Sequence, residues 1–325
     1  MSDPRLVVVT GADGFIGRAL VAHFAQSKRP LRAIVHREPP PSASPREVVR
    51  AADLTTASDA LLDELVADSF AIVHLAGRAH VLRDTADDPA AAYRSANTMM
   101  TVRLAQAALR ARVGRFVLAS TIKVNGEASA PSRPFRPEDA PDPADHYARS
   151  KLDAERDLVS LCAGTATAAI VLRLPLVYGP GVKGNFATLL DEIARERPLP
   201  LGAIRNRRSL VFVGNVIEAI DAALEASPPP SGVHFITDNE SISVRDLASA
   251  IAAALSVPIQ LTSVPVSLLR IGGRIAGKGA IVDRLVSTLE GDGTSFTLAT
   301  GWRPRHSLHE GLATTAAWWR MRHSI

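Results

Sequence analysis

A single cysteine, Cys162, few aromatic residues (5%) and no uninterrupted apolar run of bilayer-spanning length are what this sequence has least of. One thiol excludes an internal disulfide and any zinc site built on several cysteines, and it points to a reducing compartment. The apolar neighbours of Cys162 mark it as a core residue. The most membrane-like stretch, Val264 to Leu285, is interrupted by Arg270, Arg274, Lys278, Asp283 and Arg284. Each of these is costly in hydrocarbon, so the stretch reads as helices and turns of a soluble protein with no membrane insertion. A charged leader followed by an apolar run and a small-residue cleavage site is also missing. The chain runs almost at once into Leu6-Val7-Val8-Val9, and a cytoplasmic location is expected. Nor is there a basic stripe with interleaved aromatics. The 37 Lys and Arg are scattered among 33 Asp and Glu for a formal charge of +4, which suits a small anionic ligand better than nucleic acid.

What is present is enough apolar material, 46% of 325 residues, for a large core in one big domain or two coupled ones. In the first half, short β-branched runs alternate with helical spacing. Leu6–Thr10, Leu31–Val35, Ala71–Leu75, Arg115–Ser120 and Ala169–Leu174 read as strands, and Ile16–Ser27, Ala90–Arg110 and Tyr147–Ala163 as helices. This order predicts an α/β fold, a doubly wound parallel sheet of the Rossmann-like kind, with strands apolar on both faces. Proline-rich segments at Glu38–Pro45, Ala130–Pro143 and Ser227–Ser231 read as loops. Beyond about Gly179 the alternation breaks into shorter elements. The expected division is therefore a dinucleotide-binding domain over 1–178 and a smaller C-terminal substrate lobe over 179–325, some of whose segments return to the first domain.

Strand Leu6–Thr10 is followed by Gly11-Ala-Asp13-Gly14-Phe15-Ile16-Gly17 and a helix. In that context the glycines serve a tight turn, close approach to a pyrophosphate, and helix–strand packing, with the anion at the helix N-terminus. Gly11, Asp13, Gly14, Phe15, Ile16 and Gly17 are thus expected around a dinucleotide. Strand two ends Val35-His36-Arg37, without the carboxylate that usually holds the adenosine ribose of NAD. Arg37 offers a planar fork to a 2′-phosphate, which favours NADP(H) and leaves NAD possible. Asp53 and Leu54 are placed to meet the adenine.

Tyr147-Ala-Arg-Ser-Lys151 sets a phenol and an ammonium four residues apart on one helix face. A nearby cation favours the phenolate, so Lys151 is expected to bring Tyr147 toward a useful acid–base range while also holding the nicotinamide ribose. The strand ending in Ser120 and Thr121 brings hydroxyls to the carboxyl end of the sheet, where ligands bind.

Taken together, Gly11–Gly17, His74-Leu75-Ala76-Gly77, Asn97, Ser120-Thr121, Tyr147/Lys151 and the run Leu172 to Pro180 resemble the extended short-chain dehydrogenase family of nucleotide-sugar epimerases, dehydratases and reductases. The resemblance implies a catalytic set of Thr121, Tyr147 and Lys151, with Asn97 in support. Leu75, Ala76, Gly77 and Ser120 would lie along the cofactor, and Pro175 and Tyr178 near the nicotinamide. It also implies a nucleotide-sugar site with Asn185 and Phe186 on the base side, Arg208 on the diphosphate and Arg284 as a second diphosphate contact. Family members dimerise through two helices, here Ala90–Arg110 and Lys151–Leu161.

Two departures narrow the activity. Dehydratases of the family place Asp-Glu after the catalytic threonine, but Ile122-Lys123 stands here and supplies no acid–base pair for loss of water. Val124-Asn125-Gly126 also replaces the Val-Tyr-Gly of many epimerases. With Arg37, these features favour NADP(H)-dependent reduction of the C4 ketone of a UDP-4-keto-6-deoxy-N-acetylhexosamine in polysaccharide precursor synthesis. The alternative is a UDP-hexose or UDP-N-acetylhexosamine 4-epimerase with retained NAD. A steroid-type dehydrogenase and a non-catalytic NADP sensor are the rival classes.

Overall fold

The structure is a computed structural model that describes residues 5–36, 47–50, 53–79 and 86–323. Arg37 and the whole of the Glu38–Pro45 loop lie outside these residues. The first half is built from β1 (Val7–Thr10), α1 (Phe15–Gln26), β2 (Leu31–Val35), β3 (Glu47–Arg50), α2 (Asp59–Val66), β4 (Ala71–His74), α3 (Pro89–Tyr93), α4 (Met100–Arg110), β5 (Arg115–Thr121), α5 (His146–Cys162) and β6 (Ala168–Leu174). The second half comprises β7 (Leu176–Tyr178), α6 (Asn185–Ala194), β8 (Arg208–Phe212), α7 (Val213–Glu225), β9 (Gly232–Phe235), β10 (Ser241–Ile242), α8 (Val244–Leu255), α9 (Val266–Ile275), α10 (Gly279–Val286), α11 (Thr294–Thr300) and α12 (Leu308–His323).

Seven parallel strands form the main sheet in the order β3-β2-β1-β4-β5-β6-β9. The order reverses between β1 and β4, and that switch point opens the ligand crevice at the strands' carboxyl ends. Both faces are covered. One core joins β1 and β6 to α1, α7, α8 and α12, and a second lies between the sheet and α2, α4 and α5. This double burial is why the strands read as continuous apolar runs. Cys162 belongs to the second core, and burial pushes its thiol up.

The expected strands are all found, with ends shifted by at most one residue. The long helix expected over Ala90–Arg110 is interrupted: Arg94–Met99 is a π-helical turn between α3 and α4. The second half holds a three-stranded sheet, β10-β8-β7, with β8 parallel to β7 and antiparallel to β10. β9 returns to the main sheet beside β6. Arg115 fastens the bottom of β5 to the last turn of α7, donating to the carbonyls of Ala223 (2.7 Å) and Ala226 (2.8 Å). Val264 to Leu285 folds into the short helices α9 and α10, and no described helix is long and apolar enough to cross a membrane.

Candidate active site

The glycine turn is shaped by backbone contact. Gly11 has φ +67°, and a Cβ there would sit 2.7 Å from the Ala76 nitrogen. A Cβ on Gly17 would overlap the Gly11 carbonyl oxygen, and one on Gly14 would reach it at 3.0 Å. Gly14 caps α1 without a side-chain hydrogen bond, so the first N–H groups of α1 face outward from the turn. Asp13, Phe15 and Ile16 are partly exposed around it. This cradle fits a dinucleotide pyrophosphate.

The opposite wall is the segment Leu75-Ala76-Gly77, held by a buried pair of side chains. Thr10 Oγ1 lies 2.6 Å from His74 Nδ1 and accepts from the Ala76 N–H at 3.3 Å. Burial, with the Lys151 charge adding to it, pushes His74 down to about 3, so the ring is neutral. Gly77 leaves room for Asn97, whose Oδ1 would be 2.7 Å from a Cβ there. Asn97 occupies the π-helical turn. It accepts from the Arg78 N–H (2.8 Å) and donates to the Arg78 carbonyl (3.1 Å) and to Ser150 Oγ (2.9 Å) on α5. One amide thereby ties the cofactor-side loop to the helix that carries Tyr147, and π-turns recur at such places.

Asp145 caps α5, accepting from the Ala148 N–H at 2.7 Å. Tyr147, Lys151 and Glu155 then follow as a stripe along one face. Tyr147 is pushed up to about 12, mainly by burial and then by the Asp145 charge, while hydrogen bonding with Thr121 opposes the shift. Lys151 is buried and drawn down to about 8 by desolvation, with Glu155 acting against it. Burial is thus the largest influence on the Tyr147 phenol, and it favours the protonated form.

The two hydroxyls ending β5 diverge. Thr121 joins Tyr147, and its Oγ1 also accepts from the Lys123 N–H at 3.3 Å. Ser120 instead makes a very short hydrogen bond to Glu155. Glu155 is clasped by Arg173 (2.6 Å), which donates in turn to Asn125 Oδ1 (2.8 Å). Ser120, Glu155, Arg173 and Asn125 are all buried, so the Ser120 side chain braces the floor rather than reaching the crevice. Lys123, where dehydratases carry an acid, is paired with Glu127 (2.9 Å) and Asp145 (3.1 Å).

On the substrate side the structure brings Arg208 and Arg284 together. Arg208 donates to the carbonyls of Arg284 (2.7 Å) and Ser287 (3.1 Å) at the end of α10, and Arg284 reaches to within 4.0 Å of Glu127. Asn185 is exposed at the start of α6. Two expected contacts are corrected. Tyr178 and Phe186 are buried to 0% and 2% exposure and stack on each other at 5.5 Å, so neither ring faces an open site in this structure. The Tyr178 hydroxyl donates to Asp238 (3.2 Å). Pro175 is buried at the β6–β7 junction. Asp53, though exposed, already accepts from the Thr55 N–H (2.8 Å) and hydroxyl (2.7 Å), and Leu54 packs on the second core. Sequence reasoning missed Glu155 and Arg173, although Glu155 continues the Tyr147–Lys151 spacing. It also missed Tyr93, whose ring lies 6.2 Å from that of Tyr147.

The NAD dependent epimerase/dehydratase family matches residues 7–235. The UDP-glucose 4-epimerase of Vibrio cholerae is 34% identical over 319 residues, covering 96% of this chain and 95% of that protein. The N-acetyl-alpha-D-glucosaminyl-diphospho-ditrans,octacis-undecaprenol 4-epimerase of Escherichia coli O157:H7 is 25% identical over 327 residues, covering 95% and 93%. Among solved structures, MoeE5 in complex with UDP-glucuronic acid and NAD superposes with a TM-score of 0.77 at 27% identity, covering 98% of this chain and 99% of that one.

Proposed function

This chain belongs to the NAD dependent epimerase/dehydratase family, and we propose that it is a 4-epimerase of a UDP-hexose or UDP-N-acetylhexosamine that keeps its NAD through turnover. The observation that carries this reading is the arrangement of Thr121, Tyr147 and Lys151 at the sheet's carboxyl end, in a chain 34% identical to a UDP-glucose 4-epimerase along nearly its whole length. Residues 1–178 hold mainly the dinucleotide and 179–325 mainly the nucleotide sugar.

Bound NAD supplies a hydride acceptor, and then donor, at the sugar C4. Tyr147 takes the C4 hydroxyl proton and returns it to the same oxygen after the keto sugar has turned, so the cycle leaves no net oxidation. Thr121 hydrogen-bonds that oxygen and the phenol, fixing the line of proton transfer. Lys151 supplies the positive charge against which Tyr147 gives up its proton. The protonated phenol of this structure is the form that returns the proton. Asn97 keeps α5 in register with the Leu75–Gly77 wall, and Arg208 and Arg284 meet the diphosphate. Ile122-Lys123 provides no acid–base pair for dehydration, which separates this chain from the dehydratases of its family.

The second reading is NADP(H)-dependent 4-keto reduction. It is favoured by the end of β2, where Val35-His36-Arg37 carries no carboxylate for a ribose. Incubation of the purified enzyme with UDP-glucose and with UDP-N-acetylglucosamine, without added coenzyme, decides between them. Appearance of the 4-epimer supports the first reading. No epimer, with NADPH consumed by a UDP-4-keto-6-deoxy-N-acetylhexosamine, replaces it with the second. A cytoplasmic homodimer through α4 and α5 completes the proposal, supported by the exposed Met99 and Val159 on those helices' surroundings.

A further inference from the structure

Helices α9 and α10 pack tightly on each other and loosely on everything else. A Cβ on Gly273 would lie 2.6 Å from Val282, so the glycine lets the two helices touch, and it is the one buried residue of α9. α10 has none. Leu269, Leu285 and Val286 pack against the main core, but Leu268, Ile271 and Ile275, at helical spacing i, i+3 and i+7, are 56%, 54% and 84% exposed, and Ile281 is 56% exposed. Isolated exposed leucines need no explanation, but four on one small hairpin do.

The charge around them is mainly positive, with Arg284 of the hairpin lying 4.0 Å from Glu127. Arg270, Arg274, Lys278 and Arg284 stand in α9–α10 against Asp283 alone, which pairs with Arg270 at 3.1 Å. An apolar ridge flanked by cations is the pattern of an interfacial helix, whose side chains enter the acyl boundary while its bases meet acidic headgroups.

We propose that the α9–α10 hairpin docks this protein reversibly on an anionic lipid bilayer. The docking surface adjoins the active site, because Arg208 is fastened to the carbonyls of Arg284 and Ser287 at the end of α10. That adjacency rests on the functional reading above; the docking itself does not.

The test is sedimentation of the whole protein with vesicles of phosphatidylglycerol and phosphatidylcholine, beside vesicles of phosphatidylcholine alone. Wild type is expected to partition onto the anionic vesicles only. Ile271→Asp with Ile275→Asp should lower that partition at least about tenfold, and Arg274→Gln with Lys278→Gln about fivefold per charge removed. Epimerisation of a soluble UDP-sugar should be unchanged in both variants, and its absence in the wild type counts against the functional reading alone. Failure of the wild type to bind anionic vesicles overturns the proposal, as does binding that neither variant weakens. A dimer that becomes monomeric in the isoleucine variant, without any vesicle binding, assigns the ridge to a second copy and overturns it too.

Discussion

Tyr147 and Tyr178 stand in two regions that share one chemistry and use it differently. Both phenols are pushed up by burial, and both have a carboxylate nearby, Asp145 and Asp238 respectively. At Tyr147 the remaining neighbours can move or exchange a proton: the Thr121 hydroxyl, and Lys151 one helical turn away. Tyr178 also has a titratable partner, Asp238, but no access. Its ring is sealed between Phe186 and Phe212, and its hydroxyl is one of the neutral donors around Asp238, with the Phe212 N–H (3.0 Å) and Asn215 Nδ2 (2.7 Å). Asp238 is pushed up to about 6 by burial, despite those donors. A shifted pKa alone therefore does not mark a working residue. Access and an exchangeable partner do.

The comparison breaks most visibly if Tyr147→Phe leaves turnover intact. The expected loss is ~10²-fold or more in kcat, with cofactor binding and thermal unfolding near wild type, because only a proton path is removed. Tyr178→Phe is expected to do the reverse. It should cost about 1–3 kcal/mol in urea unfolding, from a donor withdrawn from a buried carboxylate, while activity per folded molecule holds. A Tyr178→Phe enzyme that is fully stable but slow would place that ring in the chemistry after all.

The smallest effect sharpens the comparison through pH. Lys151 sits at about 8 in the fold against an ordinary 10.5, so between these values the unfolded chain holds more protons and stability should rise with pH; below about 8 the cost is fully present. Activity should run the other way and decline above about 8 as the ammonium is lost. Parallel profiles of unfolding free energy and kcat/KM test the opposition, and Lys151→Met should abolish the stability slope.

Much of this was legible in the sequence because it depends on local spacing. The glycine turn, the Tyr147–Lys151 step and the doubly apolar strands follow from backbone geometry and helical period, and they appear where expected. The failures share a different cause. Tyr178 sits in a run that resembles a cofactor wall and Phe186 in one that resembles a nucleotide-base site, but their two rings stack on each other in the packing of α6 on β7, which no local pattern encodes. Ser120 was expected along the cofactor, yet Glu155, 35 residues downstream and itself clasped by Arg173, claims it. The π-turn that aims Asn97 leaves no mark in a segment whose spacing reads as continuous helix. In the hairpin α9–α10, the basic residues correctly argued against a membrane span, but the same pattern hid an outward apolar ridge.

The return of β9 to the edge of β6 decides how this protein can be cut. A fragment ending at Tyr178, the boundary the motifs suggest, would leave β6 as a bare edge along Ile170–Arg173. It would also strip Arg115 of the carbonyls on Ala223 and Ala226. An open parallel edge recruits other chains. The nucleotide-binding half is therefore not a portable module: any excised version must carry α7 and β9 with it, and any swap of substrate lobes among relatives needs three crossover points instead of one.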